Sequence, residues 1–185
     1  MKHVLRAFLA VCLLFGGVGQ SFACGNPLLW ALLFEHHPEA KVAFQADLDG
    51  RKAGIVQARP FLGRPGVSYH SWSIKSLNKL AQEMAPSISA NLREGETFTV
   101  LLAIEVAAIR FRGGDSAPEI ISAAQIKTIS EYDVTTTVNV LHSGWRNSLA
   151  YDAMVENDLL ILATPEAGET IASLFGTMSN ASLRP

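Results

Sequence analysis

Residues 97–112 read "TFTVLLAIEVAAIRFR", a run dominated by β-branched, aromatic and other apolar side chains. Such residues fit a pleated, half-buried surface. The run is too long for one ordinary strand, which averages about 5–6 residues. It therefore predicts a bend or a hairpin near Ile104-Glu105.

Upstream of this run the period changes. Ile74, Leu77, Leu80, Ala81, Met84, Ile88 and Leu92 recur at three-or-four spacing, which paints one apolar stripe along a helix over 72–93. Pro86 should kink or restart that helix, and Gly95 should close it. Downstream, "GGDSAP" (113–118) reads as a turn, with short strands expected from Glu119 and from about Thr128.

The stretch "DVTTTVNVLHSGW" (133–145) then carries a change of element. Tyr132, Val134 and Thr136 should point to one side of a strand, with Asp133, Thr135 and Thr137 on the other. Thr137 suits the N-cap of a short helix, because its hydroxyl can accept a free amide of the first turn. Gly144 is expected to end that helix in the left-handed conformation. Ser148 should cap a second helix that stops at Asn157, "DLLILA" (158–163) should be a buried strand, and Thr164-Pro165 should open a last helix. Ala167, Ile171, Leu174, Phe175 and Met178 fall on one face of that helix. The pattern predicts an α+β fold over 72–178: a small twisted, mostly antiparallel sheet of about five strands, covered by helices on one face. Residues 179–185 are expected to be a flexible tail.

The N-terminal part is different in kind. Lys2 and Arg6 precede an apolar run from Ala7 to Val18, and Ser21-Phe-Ala23 offers small residues for cleavage, so 1–23 reads as a bacterial-type signal peptide. Its apolar core, about a dozen residues, is short of the roughly twenty that span a bilayer. Export to a periplasm, with cleavage after Ala23, is the expectation. The mature chain would then keep one thiol, Cys24, which excludes an internal disulfide. Its place beside the cleavage point makes it a possible lipidation site and membrane anchor, although Ser21 and Phe22 depart from a lipobox. Residues 24–71 read as an N-terminal helical or hairpin extension. In it Leu28–Phe34 is apolar all round and would be buried or docked on an envelope protein partner. Within it, 41–58 fits a hairpin through Asp49-Gly50 as well as a helix. The loop-like "RPFLGRPGVSYHS" (59–71) follows.

The chain carries a net charge of −2 with no basic stripe, a poor match to nucleic acid. His36 and His37, with Cys24 and Glu35, are metal-ligand types, but adjacent histidines on a helix diverge by about a hundred degrees, and solvated helix-end residues are the simpler expectation. His70 among Ser71, Ser73 and Tyr69 lacks the signals of a nucleophile elbow or oxyanion hole. His142 reads as a polar-face residue, and the pairs Glu131/Asp133 and Glu156/Asp158 as solvated edges. No phosphate loop is present, no cofactor is expected, and an enzyme is not the expected class.

The order helix, about four strands, two short helices, strand, helix, with the cadence "DVTTT…VLHSGW…SLAYDAMVENDLLILA…IASLF", resembles the sterol carrier protein type 2 family. The matching features fall on Asp133, Thr135, Gly144, Ala153, Asn157 in place of a usual glycine, and Leu159 to Leu162. That resemblance implies an α+β shell around an apolar tunnel for lipids or fatty acyl groups. The expected function is an exported, non-enzymatic protein that binds or carries a small hydrophobic ligand such as a lipid. Val100, Leu102, Ile109, Leu141, Trp145, Met154, Leu160 and Phe175 are its candidate ligand-binding residues. The alternatives are an accessory subunit of an envelope complex, docked through Leu28–Phe34, and a metal-binding periplasmic protein.

Overall fold

In the computed structural model, which describes residues 27–57, 69–114, 117–122, 125, 131–145 and 148–181, the run 97–112 is a hairpin, the second of the two arrangements open to it. Strand β1 (Thr97–Leu102) pairs antiparallel with β2 (Ala107–Arg112), from Thr97↔Arg112 to Leu102↔Ala107. The turn between them, Ala103 to Val106, holds Val106 at φ 49°. A β-branched residue in the left-handed region is strained. Val106 is held there because its side chain is buried with Leu101, Ala103 and Ala108.

Three short strands complete the sheet: β3 (Glu119–Ile121), β4 (Val134–Thr136) and β5 (Ile161–Leu162). Their order is β3-β2-β1-β4-β5. Only β1 and β4 run parallel, in the register Val100↔Val134 to Leu102↔Thr136, and the other pairs are antiparallel. The fold is therefore α+β with a mixed, mostly antiparallel five-stranded sheet. The strand expected from about Thr128 is present as β4, Val134–Thr136, while residues 126–130 lie outside the described residues.

Six helices accompany the sheet among the described residues: α1 (Pro27–His36), α2 (Pro38–Lys52), α3 (Tyr69–Ser89), α4 (Val138–Trp145), α5 (Tyr151–Glu156) and α6 (Pro165–Ala181). The helices of 72–178, α3 to α6, cover one face of the sheet, as the sequence pattern predicts, and α1 and α2 of the N-terminal segment cover the other. On the first face Phe98, Val100, Leu102, Ile109 and Phe111 pack with Leu77, Met84 and Ile88 of α3, Leu141 of α4, Met154 of α5 and Ile171 of α6. On the second face Leu101, Ala103, Ala108 and Ile121 pack with Leu33 of α1 and with Ala40 and Ala43 of α2. The double covering is legible in β1, whose last five residues are all buried. A strand covered on both faces loses the alternation of a half-solvated one.

Segment 41–58 resolves as helix up to Lys52, with Pro38 in the first turn, where its missing N–H costs nothing. The Asp49-Gly50 turn signal is overridden because Gly50 lets the helix backbone approach its neighbours: a Cβ there would stand 2.9 Å from Val56 Cγ2. Three punctuation marks also fall differently from expectation. Helix α3 runs through Pro86 to Ser89 and stops well short of Gly95, which lies in the turn before β1 at φ 81°. Gly144 lies inside α4 instead of ending it. The left-handed residue after α5 is Asp158 at φ 54°, with Asn157 at φ −103°. Ser148 does not cap α5, whose N-cap is Ala150; its hydroxyl donates to Ser143 O at 2.8 Å. Thr137 and Thr164 act as expected, their hydroxyls accepting from Val140 N at 3.3 Å and Ala167 N at 3.2 Å. No helix among the described residues is long and apolar enough to cross a membrane.

Candidate functional site

The eight apolar candidates gather in one place. Val100, Leu102, Ile109, Leu141, Met154, Leu160 and Phe175 are all buried in the core of the first face, and Trp145 packs against it, partly exposed. They span β1, β2, α4, α5, α6 and the approach to β5. Gly144 shows how close the contacts are, since a Cβ there would stand 2.8 Å from Phe175 Cε1.

The apolar helix α1 is also docked on its own chain. Leu33 is fully buried, Trp30 Nε1 donates to Ile104 O at 3.1 Å, and the Trp30 and Phe34 rings lie 5.2 and 5.6 Å from the Phe44 ring. Leu29, Trp30 and Phe34 remain partly exposed.

Where α2 meets the start of α4, a polar cluster is enclosed. The Asp47 side chain is fully buried; its Oδ1 accepts from the Thr137 hydroxyl at 3.0 Å, and Arg51 Nε stands 2.8 Å from its Oδ2. Asn139 adds a further hydrogen bond. The Glu105 carboxylate reaches the same helix start, accepting from Val138 N at 3.4 Å. Anionic groups at a helix N-terminus are favoured by its unpaired amides and dipole. Thr137 thus links two elements: it caps α4 and ties it to α2. Burial pushes the Asp47 carboxyl above its ordinary value, against the opposing pull of Arg51, Thr137 and Asn139. Asp133 is raised too, first by burial and then by Glu131 and Glu96, although its Oδ2 accepts from Thr99 N at 2.7 Å.

This has a consequence for stability. A carboxyl whose folded value is raised holds its proton more tightly in the folded state, so it adds stability at low pH that is lost as pH rises through the folded value. As pH falls through their raised folded values toward the ordinary carboxylate range, these two groups should make urea midpoints climb. Asp47→Asn and Asp133→Asn should each flatten that climb. The exposed Asp49, lowered by Gln45 and Lys52, acts in the opposite sense and only as pH falls through its depressed value. Midpoints that fall steadily over the same range in both variants and parent would refute the assignment.

Two surface hollows are lined by mixed polar, charged and apolar side chains. A groove of about 700 Å³ runs along α2, lined by Lys41, Val42, Gln45, Ala46, Asp49, Gly50, Ala53 and Ile55 together with Asn157 and Asp158. Val42 and Ile55 are 48% and 38% exposed, the most open large hydrophobic residues among those described. A second hollow of about 570 Å³ lies at the β4–β5 edge, between Glu39, Glu131, Tyr132 and Asp133 on one side and Ile161 to Thr164 on the other. Burial, then a hydrogen bond to Glu39, pushes the Tyr132 phenol far up, so it stays a proton donor.

His37 is 6% exposed, not solvated as expected, because it forms the bend between α1 and α2: its N–H donates to Leu33 O at 2.7 Å and its ring meets Tyr132 edge-on at 5.3 Å. His36 is exposed and His142 partly so. No three His, Cys, Asp or Glu residues among those described converge as metal ligands. Cys24 and the His70 side chain lie outside the described residues. Glu131 and Asp133 do come together, in the second hollow, and Asp158 lines the first. Sequence reasoning missed Lys41, Val42, Asp47 and Ile55. Their signal was present: with 38–52 read as one helix, Ala40, Ala43, Asp47 and Gly50 share the inner face and leave Val42 and Gln45 outside.

The class these features define is an α+β protein with a helical layer on each face of its sheet and an open apolar groove on the outer surface of α2. No family model, curated protein or solved structure matches the chain.

Proposed function

We propose that this chain is an exported, non-enzymatic protein that binds a small hydrophobic ligand such as a lipid, and that the ligand lies in the α2 groove. The observation that carries this reading is the exposure of Val42 and Ile55 in the same groove. Burying a side chain of this size fully is worth about 1.5–3 kcal/mol, so two of them half-open to water represent unspent binding energy. The volume of the groove falls within the roughly 300–1,000 Å³ usual for ligand pockets. The order of elements from α3 to α6, helix, four strands, two helices, strand, helix, supports the resemblance to sterol carrier proteins, and the basic and apolar pattern of residues 1–23 supports export. Leu102, Leu141 and Met154 then serve as packed core, and the site lies on the other side of the molecule's helical layer.

Titration with a fluorescent long-chain alcohol tests this. The parent chain should bind it, and Val42→Asp or Ile55→Asp should each weaken binding about tenfold or more, the loss expected for placing a charge against an apolar group. Equal affinity in the parent and both variants would remove the groove from consideration.

A further inference from the structure

Resting on that reading of the groove, we infer that its ligand is an amphiphile with an anionic head group, a carboxylate in the simplest case, seated at Lys41. The charges of the groove are unequally committed. Asp49 is held by Lys52 at 3.0 Å and by Gln45 at 2.8 Å, and Arg51 is engaged with Asp47. Lys41 has no ion pair or hydrogen bond among the described residues, and it is exposed.

Its position adds to this. Lys41 is the fourth residue of α2, near the end of the helix where the dipole is positive and a cation is disfavoured. An anion placed there would be attracted by the ammonium and by the helix end together. From Lys41 the lining continues through Val42 and Ala46 to Ala53 and Ile55. At 1.5 Å per residue, Lys41 to Ala53 spans about 18 Å along the helix. One end of the groove therefore offers a free cation, Val42, Ala46, Ala53 and Ile55 line it further on beside Gln45 and the Lys52-paired Asp49, and Asp158 belongs to the same lining. An acyl chain with its carboxylate at Lys41 matches this lining, whereas a carboxylate set beside Asp158 would be repelled.

The test compares three fluorescent probes of one chain length, a fatty acid, the fatty alcohol and the alkyl amine, on the parent, Lys41→Gln and Val42→Asp. An exposed charge pair supports a preference of about fivefold for the acid over the alcohol. Lys41→Gln should bring the acid down to the affinity of the alcohol, and added salt should weaken the acid more than the alcohol. An acid-to-alcohol ratio that survives Lys41→Gln, or an amine that binds more tightly than the acid, overturns the inference. In those cases the groove still stands if Val42→Asp weakens alcohol binding about tenfold or more. Alcohol binding indifferent to Val42→Asp, or absent from the parent, instead defeats the groove itself and the head-group assignment with it.

Discussion

Leu33→Ala is expected to lower the stability of the chain by about 3–5 kcal/mol, the upper part of the range for a buried leucine truncation. The environment of Leu33 places it there. It is fully buried against the second face of the sheet, in a cluster whose other buried members include Ala40, Ala43, Ala103 and Ala108. Alanines have no side-chain freedom with which to close a void, so the cavity left by the missing isobutyl group would stay open. The cost of such a substitution rises with the cavity that remains. Urea denaturation checks this, with unchanged slope and a lowered midpoint as the expected result. The same measurement separates two roles for α1. A helix that serves mainly as a handle for an envelope partner would lose under about 1 kcal/mol on truncation of Leu33, as surface substitutions do. A helix that roofs the sheet would lose several times that. The hydrogen bond from Trp30 to Ile104 O and the Phe44 contacts argue for the second role.

The double covering of the sheet also explains which parts of the fold were legible in the sequence. The hairpin 97–112, the stripe of α3 and the caps at Thr137 and Thr164 rest on local rules, and the structure follows them. Helix α2 and the second helical layer rest on tertiary contacts. Asp49-Gly50 is a turn signal when taken alone, yet Gly50 is needed where the helix passes Val56 and Leu159. Gly144 reads as a helix terminator on the same local grounds, whereas its role is to admit the Met154 and Phe175 side chains. A helix-end residue such as His37 belongs in solvent on local rules, but the bend into α2 turns it inward against Tyr132. In each case a residue was chosen for what approaches it, and a single sequence does not display its approaching partners. The groove was hidden by the same ambiguity. Until 38–52 is one helix, Lys41, Val42 and Ala46 do not share a surface with Ile55.

Gly144→Val should cost about 3 kcal/mol or more, and the cost should depend on a particular neighbour. A Cβ at this position would lie 2.8 and 3.1 Å from two atoms of the Phe175 ring and closer still to the Met154 methyl. Overpacking of this kind typically costs about 1–3 kcal/mol, and a β-branched side chain adds two further methyls in the same space. Gly144→Ala would recover up to about 1 kcal/mol of helix propensity and so conceal part of the clash, which makes valine the clearer probe. The Met154 methyl is the flexible end of its side chain, but Met154 is fully buried and has no solvent to move into. The double variant Gly144→Val/Met154→Ala should therefore be more stable than the sum of the two single losses predicts, by on the order of 1 kcal/mol or more, the size of coupling found between residues in contact. Strict additivity would mean that the Phe175 ring, not Met154, is the obstacle. The cycle also bears on where the ligand sits. If the alcohol probe occupied the core beside Met154, the double variant, with its altered cavity, would change probe affinity while Val42→Asp did not; if the probe occupies the α2 groove, the dependence is reversed.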